Sequence, residues 1–329
     1  MKYDWITKIK EINNNNKSVT IIGSGYIASE YCLALKSMGI SNVSIIGHTK
    51  KNVDVLCKKY GFNPIISNYK DALRSLNTQD LIIVCLPIHL LMPATELSLE
   101  FGHQKILVEK PGSLHSQELD RLSNKFKNCK IRIGYQRTCY PNFLKLKEIV
   151  EKEGGIQSCF FDFTEWVHTI NFENNTSDAY QKWGISNSLH IISLAMNLIG
   201  MPKYISPFRS GKLDWHNSGS IFVGSGISEN NIPFSYHANW ESGGRWLVQV
   251  TTSEYIYRLM PIEELYRCSK RSVNWEKVDF SKAFPEVKQG IAEELAIMLY
   301  DNVPMGLDLV TLEEASNYNK LAEKIFGYA

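Results

Sequence analysis

The sequence predicts an α/β protein, with an N-terminal doubly wound parallel-sheet domain and a C-terminal α+β domain built on a mostly antiparallel open sheet. Three observations carry that expectation. From residue 18 to about 140, apolar β-branched runs alternate with amphipathic helical runs. A glycine turn, Gly23-Ser-Gly-Tyr-Ile-Ala28, joins the first strand directly to the first helix. Beyond Gly154-Gly155 the texture changes to consecutive aromatic-rich strands with short turns. A length of 329 residues suits two cores better than one.

The first domain is expected over 18–140. Its strands are read at 19–22, 43–46, 64–66, 81–86, 106–109 and 131–135, with helices at 26–38, 51–60, 69–76, 90–101 and 116–126. Gly39 and Gly61 stand just past two of these helices, where a C′ glycine ends a helix. Runs that are apolar throughout, such as Leu81-Ile-Ile-Val-Cys-Leu86, suit a parallel sheet covered on both faces. The second domain is expected over 141–329. It opens with a helix at 141–153 and a strand at 156–166; a polar loop then leads to a long helix at 179–199. Strand-like runs follow at 220–223, 233–240, 246–252, 255–260 and 264–268. Helices at 287–300 and 312–326 come last and are free to pack back on the first domain. Residues 1–17 read as a leader, with the asparagine run at 13–16 as a low-complexity connector.

Bulk properties narrow the function classes. A net charge of +2 without a basic stripe gives no expectation of nucleic acid. The longest apolar run, 81–93, is broken by Pro87 and His89 and is too short to span a bilayer. The first residues lack an apolar signal region, and the seven cysteines are scattered without a C-x-x-C pair. Reduced thiols in a cytoplasmic protein are therefore expected. Asn174-Asn-Thr176 matches a glycosylation acceptor but reads as a polar loop. No His, Cys or Asp cluster has metal-ligand spacing, so no metal is expected.

The glycine turn carries the chemistry. Gly23 can take the tight turn, Gly25 has no Cβ to hold a pyrophosphate away, and Ala28 lets helix and strand pack closely. With Ser24, Tyr26 and Ile27 they form a dinucleotide cradle, and the helix N-terminus offers unpaired N–H groups to phosphate. The plain alternative is a tight turn without a ligand. Cofactor choice should be written at the end of the second strand, where an acid would hold a ribose 2′-OH. Gly47-His48-Thr49-Lys50-Lys51 has no acid until Asp54, which favours NADP(H) over NAD(H). Lys50 and Lys51 also read as the solvated start of the next helix. Ile106-Leu-Val-Glu-Lys-Pro111 ends another strand with a charged pair, at the strand end where open α/β sheets bind ligands; a strand-end ion pair is the plain reading.

Taken together, Gly23-Ser-Gly-Tyr-Ile-Ala28, Cys85-Leu-Pro-Ile-His89, Glu109-Lys-Pro111 and Gly134-Tyr-Gln-Arg-Thr-Cys-Tyr-Pro141 resemble the Gfo/Idh/MocA oxidoreductase family in order and spacing. The resemblance runs from about residue 18 to the last helix. It implies an N-terminal Rossmann domain and a C-terminal α+β domain whose open sheet mediates homo-oligomers. It also implies hydride transfer between a nicotinamide and a sugar, polyol or nucleotide sugar. By the same resemblance Lys110 is a catalytic residue, and Leu86, Pro87, His89, Glu109 and Gln136 belong to the cofactor site. Gln136 stands where the family commonly has Asn, and its longer amide can still hydrogen-bond.

The family's second catalytic element is an Asp and a His four residues apart on a helix of the second domain. Here His190 stands at the His position and Ser186 at the Asp position. Read from the residues, Ser186, His190, Ser193 and Asn197 form a polar stripe beside an apolar one, which suits a cleft wall or a solvent face. Without the carboxylate, the imidazole loses an anionic partner that would raise its pKa and fix its tautomer. Tyr140, Trp183, Ser186 and Asn187 are the candidate substrate contacts; Tyr180, His168 and Asp178 are weaker ones. Glu293 and Glu294 are adjacent on a helix, as are Glu313 and Glu314, so neither makes a facing acid pair.

The expected function is an NAD(P)-dependent oxidoreductase acting on a carbohydrate-type substrate, with Lys110 and His190 in proton transfer. The alternatives are redox-assisted elimination or glycoside cleavage on the same fold, and a non-catalytic NADP(H)-binding regulator, made plausible by Ser186.

Overall fold

The computed structural model describes residues 5, 6, 8, 11, 16–173, 176–301, 303, 304 and 306–328. Most of the leader, the connector at 13–15 and the acceptor residue Asn174 lie outside the described residues. The chain divides into two compact units, Met1–Cys139 with Lys282–Ser316, and Tyr140–Ser281 with Asn317–Ala329.

In the first unit, strand and helix alternate: β1 (Ser18–Ile22), α1 (Tyr26–Ser37), β2 (Asn42–Gly47), α2 (Lys50–Tyr60), β3 (Asn63–Ile66), α3 (Tyr69–Ser75), β4 (Leu81–Val84), α4 (Ile88–Glu100), β5 (Lys105–Glu109), α5 (Ser116–Lys125) and β6 (Lys130–Gly134). These strands pair in parallel in the order β6-β5-β4-β1-β2-β3. The order reverses at β1, the switch point where such sheets bind ligands. The strands are apolar because both faces are covered: all of β4 and Val19–Ile22 of β1 are buried. Each fully buried Val, Ile or Leu there contributes about 1.5–3 kcal/mol. Helix α2 stops where the sequence places its glycine, since Gly61 takes a left-handed conformation at φ 77°.

The second unit holds α6 (Pro141–Lys152), β7 (Ser158–Asp162), α7 (Ser177–Gln181), a π-helical turn at Gly184–Ser188, α8 (Leu189–Ile199), β8 (Pro202–Ser210), β9 (Ile221–Ser228), β10 (Pro233–Asn239), β11 (Leu247–Thr251), β12 (Tyr255–Leu259), β13 (Tyr266–Ser269) and β14 (Glu276–Lys277). Its eight-stranded sheet runs β14-β13-β12-β11-β7-β10-β9-β8 and is antiparallel except between β7 and β10. The inner face is aromatic, with Phe161 stacked 5.5 Å from Tyr236 and Phe222 meeting Phe326 edge-on at 4.7 Å.

Two sequence expectations change here. The single helix expected at 179–199 is broken into α7, the π turn and α8. Strand β8 is not anticipated, because Pro202 and Pro207 argue against a strand; it forms because it is an edge strand, where a missing N–H costs no ladder bond.

The remaining elements are α9 (Ile291–Leu299), β15 (Val310–Thr311) and α10 (Leu312–Phe326). All nine residues of α9 are buried, and it packs against α1 in the first core. Strand β15 pairs antiparallel with β6 and completes a seven-stranded sheet. The expected start at 287 moves to 291, after Gly290 at φ 87°.

Candidate cofactor cradle and ligand pocket

The turn after β1 is pinned on both sides. The Gly23 amide donates to the Ile46 carbonyl (2.9 Å) and the Cys85 amide donates to the Ile22 carbonyl (2.8 Å), so the β1 turn lies against the end of β4. Gly23 has φ +122°, and a Cβ there would stand 2.2 Å from the Cys85 carbonyl oxygen; this position admits only glycine. Gly25 differs. Its backbone is ordinary (φ −86°, ψ −169°), and a Cβ there would meet no atom of the described residues within 4 Å. The protein itself leaves that space open in front of α1, whose N-terminus has no side-chain cap and no acid in its first turn. An open space facing uncapped N–H groups fits a pyrophosphate. Ser24 and Ile27 are partly buried, Tyr26 is exposed, and Ala28 is fully buried against the sheet.

At the end of β2, His48, Thr49 and Lys50 are exposed, as is Lys51. Thr49 stands at the N-cap of α2 without a side-chain cap bond, and the first turn holds no acid. Two ammonium groups at a positive helix end are electrostatically unfavourable on their own, and an anion relieves the conflict. After β4, Leu86 is partly buried while Pro87 and His89 are exposed at the start of α4. Glu109 is buried at the end of β5, Lys110 follows it half-buried, and the Lys110–Pro111 bond is cis. Burial raises the Glu109 carboxyl above its ordinary value, with Lys110 opposing. Gln136 is buried in a 3-10 turn at Gln136–Cys139. The expected cofactor residues thus follow the ends of β1, β2, β4, β5 and β6 along the chain, with Lys50 as the first residue of α2.

In the second unit the π turn sets the site. The Gly184 amide donates to the Tyr328 hydroxyl (2.8 Å), and a Cβ on Gly184 would lie 2.3 Å from the Phe326 ring. A Cβ here would push the helix off that aromatic floor. The Ser186 hydroxyl donates to the Ala179 carbonyl (2.7 Å) and lies 3.2 Å from that of Lys182, which also accepts from the Ile185 and Ser186 amides. Ser186, His190 and Ser193 are all buried, so the polar stripe is not a solvent face. Tyr140, at the N-cap of α6, is buried as well.

Trp183 and Asn187 come together with residues that the sequence does not single out. They line a cavity of about 220 Å³ with Glu165, Trp166, Thr169, Ile170, Asn171 and Arg245. The Glu165 carboxylate is buried; it accepts from Asn187 Nδ2 (2.8 Å) and Ser188 Oγ (2.7 Å), with Arg245 Nη1 at 3.8 Å. The Arg245 guanidinium lies between two indoles, 4.5 Å from the Trp166 ring centre and 4.2 Å from that of Trp246. Trp246 in turn meets the His190 ring at 5.7 Å. Glu165 and Trp166 are hidden in the sequence because the strand expected at 156–166 runs over them, whereas β7 ends at Asp162. His168 and Asp178 are exposed, and neither lines this cavity.

Residues 17–135 match the Gfo/Idh/MocA family, described as an oxidoreductase family with an NAD-binding Rossmann fold. The N-terminal domain belongs to the Gfo/Idh/MocA family. Solved oxidoreductase structures share the fold of nearly the whole chain. A dehydrogenase (MviM) from Clostridium difficile superposes with a TM-score of 0.76 at 18% identity, covering 96% of this chain and 100% of that one. The UDP-N-acetylglucosamine 3-dehydrogenase GnnA from Acidithiobacillus ferrooxidans gives 0.68 at 13% identity, covering 94% and 96%. An Agrobacterium radiobacter oxidoreductase solved with NAD+, L-tartaric acid and magnesium gives 0.74 at 11%, covering 95% and 96%. Among curated sequences, the shikimate dehydrogenase (NADP(+)) of Prochlorococcus marinus (strain MIT 9301) is 27% identical over 99 residues, which are 29% of this chain and 35% of that enzyme. The chain therefore spans about a third of that relative's length.

Proposed function

We propose that the protein is an NADP(H)-preferring oxidoreductase of a carbohydrate-type substrate, a sugar, polyol or nucleotide sugar. The observation that carries the reading is the second unit's cavity, lined by the buried Glu165 carboxylate, the Arg245 guanidinium and the Trp166 and Trp183 indoles. Carboxylate and guanidinium hydrogen-bond hydroxyl groups, and indole faces cover the C–H faces of a sugar ring. The sugar dehydrogenase among the structural neighbours is consistent with this class.

When bound, the nicotinamide would accept or deliver the hydride. The protein's part is to hold and to move a proton. Gly23, Ser24, Gly25 and the α1 N-terminus would seat the pyrophosphate, and His48, Thr49 and Lys50 a 2′-phosphate. Leu86, Pro87, His89, Glu109 and Gln136 would form the nicotinamide side. Lys110 is the proposed proton donor or acceptor at the substrate oxygen, and His190 assists it. Trp183 and Asn187, with Glu165 and Arg245, would orient the substrate; Tyr140 and Ser186 would support that wall from within. Relatives named for NAD+ and for NADP(+) both occur, so the choice rests on the α2 start. A cytoplasmic homo-oligomer is part of the proposal. Tyr204 and Phe208 on β8 are each 65% exposed and stand opposite Ile227 and Val223 on β9, an apolar face suited to a second copy.

Fluorescence titration with NADPH and NADH, followed by turnover on a sugar and nucleotide-sugar panel, tests the reading. Tighter NADPH binding that reverses in Lys50→Glu supports it; NADPH binding without turnover of any substrate favours the regulator. That second reading draws on Ser186, whose hydroxyl is committed to backbone carbonyls.

A further inference from the structure

Tyr31, Glu109 and Glu294 lie together inside the first unit, and all three are buried. Tyr31 comes from α1, Glu109 from the end of β5 and Glu294 from the first turn of α9. The Tyr31 hydroxyl oxygen is 3.1 Å from Glu109 Oε1 and 3.1 Å from Glu294 Oε2. A phenol has one proton to donate. Between two ionised carboxylates it could satisfy one, and the other would face its lone pair in a low-dielectric interior. One additional proton removes the conflict: a carboxylic acid donates to the phenol oxygen, and the phenol donates to the remaining carboxylate.

The surrounding charges say which end keeps the proton. Lys110 and Lys288 both favour ionised Glu109. Glu294 is disfavoured as an anion first by burial, then by Glu109, and also by Glu293, with Lys288 the weakest influence on it. Cys85, also buried there, has its thiol pushed well up by burial and adds no charge. Glu294 Oε1 is buried without a hydrogen-bond partner among the described residues. That is tolerable for the carbonyl oxygen of a neutral acid and costly for a carboxylate. Gly134 on β6 leaves the room, since a Cβ there would stand 3.2 Å from the Tyr31 hydroxyl and 3.5 Å from Glu294 Oε1.

We propose that Glu294 is a neutral, protonated acid at neutral pH, which donates through Tyr31 to ionised Glu109 and so holds Glu109 in place beside Lys110. Glu294 is a positioning residue that touches no substrate. The arrangement stands independently of the oxidoreductase reading, because every group in it belongs to the interior of the first unit.

Infrared spectroscopy of the full chain at neutral pH tests it. Wild type is expected to show the carbonyl stretch of a buried carboxylic acid, shifted in heavy water. Glu294→Gln should remove the band, while Glu293→Gln should keep it. Glu294→Gln retains an N–H donor toward Tyr31, so its fold is expected to persist. If it does not accumulate, Tyr31→Phe reads the same bridge, because loss of the phenol must move the band. A wild type without the band, a band that survives Glu294→Gln, or one unmoved in Tyr31→Phe overturns the proposal.

Discussion

Two glycines two residues apart answer to different physics. Gly23 is required by the fold: Gly23→Ala forces a side chain onto the Cys85 carbonyl at an unfavourable φ. It is expected to destabilise the protein by about 1–3 kcal/mol, read in urea unfolding. Gly25→Ala meets nothing within 4 Å, so its unfolding midpoint should match wild type while cofactor affinity falls. Equal affinity would take Gly25 out of the cradle. Lys110→Ala should lower turnover by about 10²–10⁴-fold with NADPH binding intact; retained turnover would remove Lys110 from the chemistry. Ser186→Asp is not expected to restore a catalytic pair. It loses the donor to Ala179 and turns a buried carboxylate toward two carbonyl oxygens. A melting temperature lowered by several degrees, with no gain in rate, is the expected result.

Among the elements, the Rossmann half is legible because its strands are short, mostly apolar runs and two of its helix stops carry their glycines, Gly39 and Gly61. The second unit is less so. Its helix breaks between Gln181 and Gly184 to fit a floor made by Phe326 and Tyr328, some 140 residues later, and no local pattern announces that. The proposed cofactor residues lie in contiguous motifs, which a sequence displays directly. The candidate pocket is assembled from the segment after β7, the π turn and the turn before β11, so Glu165 and Arg245 emerge only in three dimensions. Glu294 is hidden for a related reason: its adjacent partner Glu293 faces elsewhere, and its real neighbour is Glu109. The π turn also depends on His216, whose Nδ1 bonds the Gly219 carbonyl (2.8 Å) and whose Nε2 therefore accepts from Tyr328 (2.7 Å). Tyr328→Phe strands both His216 Nε2 and the Gly184 amide. It should cost about 1–3 kcal/mol, and an unchanged midpoint in urea would show that the tyrosine does not brace the turn.

At the scale of the whole molecule, one buried group in each unit answers to pH in the opposite direction from the other. Burial pushes His216 down from 6.5 to about 4, so the folded second unit binds fewer protons than its unfolded chain. Its contribution is present above pH 6.5 and lost as pH falls toward 4, on the order of 3 kcal/mol. Glu294 is shifted the other way. Its folded value lies above the ordinary 4.5, so that contribution is full below 4.5 and is lost as pH rises. Calorimetry across pH should find the His216 contribution to the second unit lost in acid, and the Glu294 contribution to the first unit lost toward alkaline pH. His216→Gln should flatten the acid limb and Glu294→Gln the alkaline one; limbs unchanged in both variants would refute the assignment.

The first unit's core is not contiguous in the chain, because Ile291–Leu299 belongs to it together with residues from β1 and α1. On the ribosome, synthesis at roughly 5–20 residues per second delivers α9 on the order of ten seconds or more after β6 has emerged. During that wait the α1 face that α9 will cover stands open, while most of the second unit is being made. The nascent Rossmann half is thus obliged to remain incomplete, and within reach of holdase chaperones, until Ile291–Leu299 has emerged.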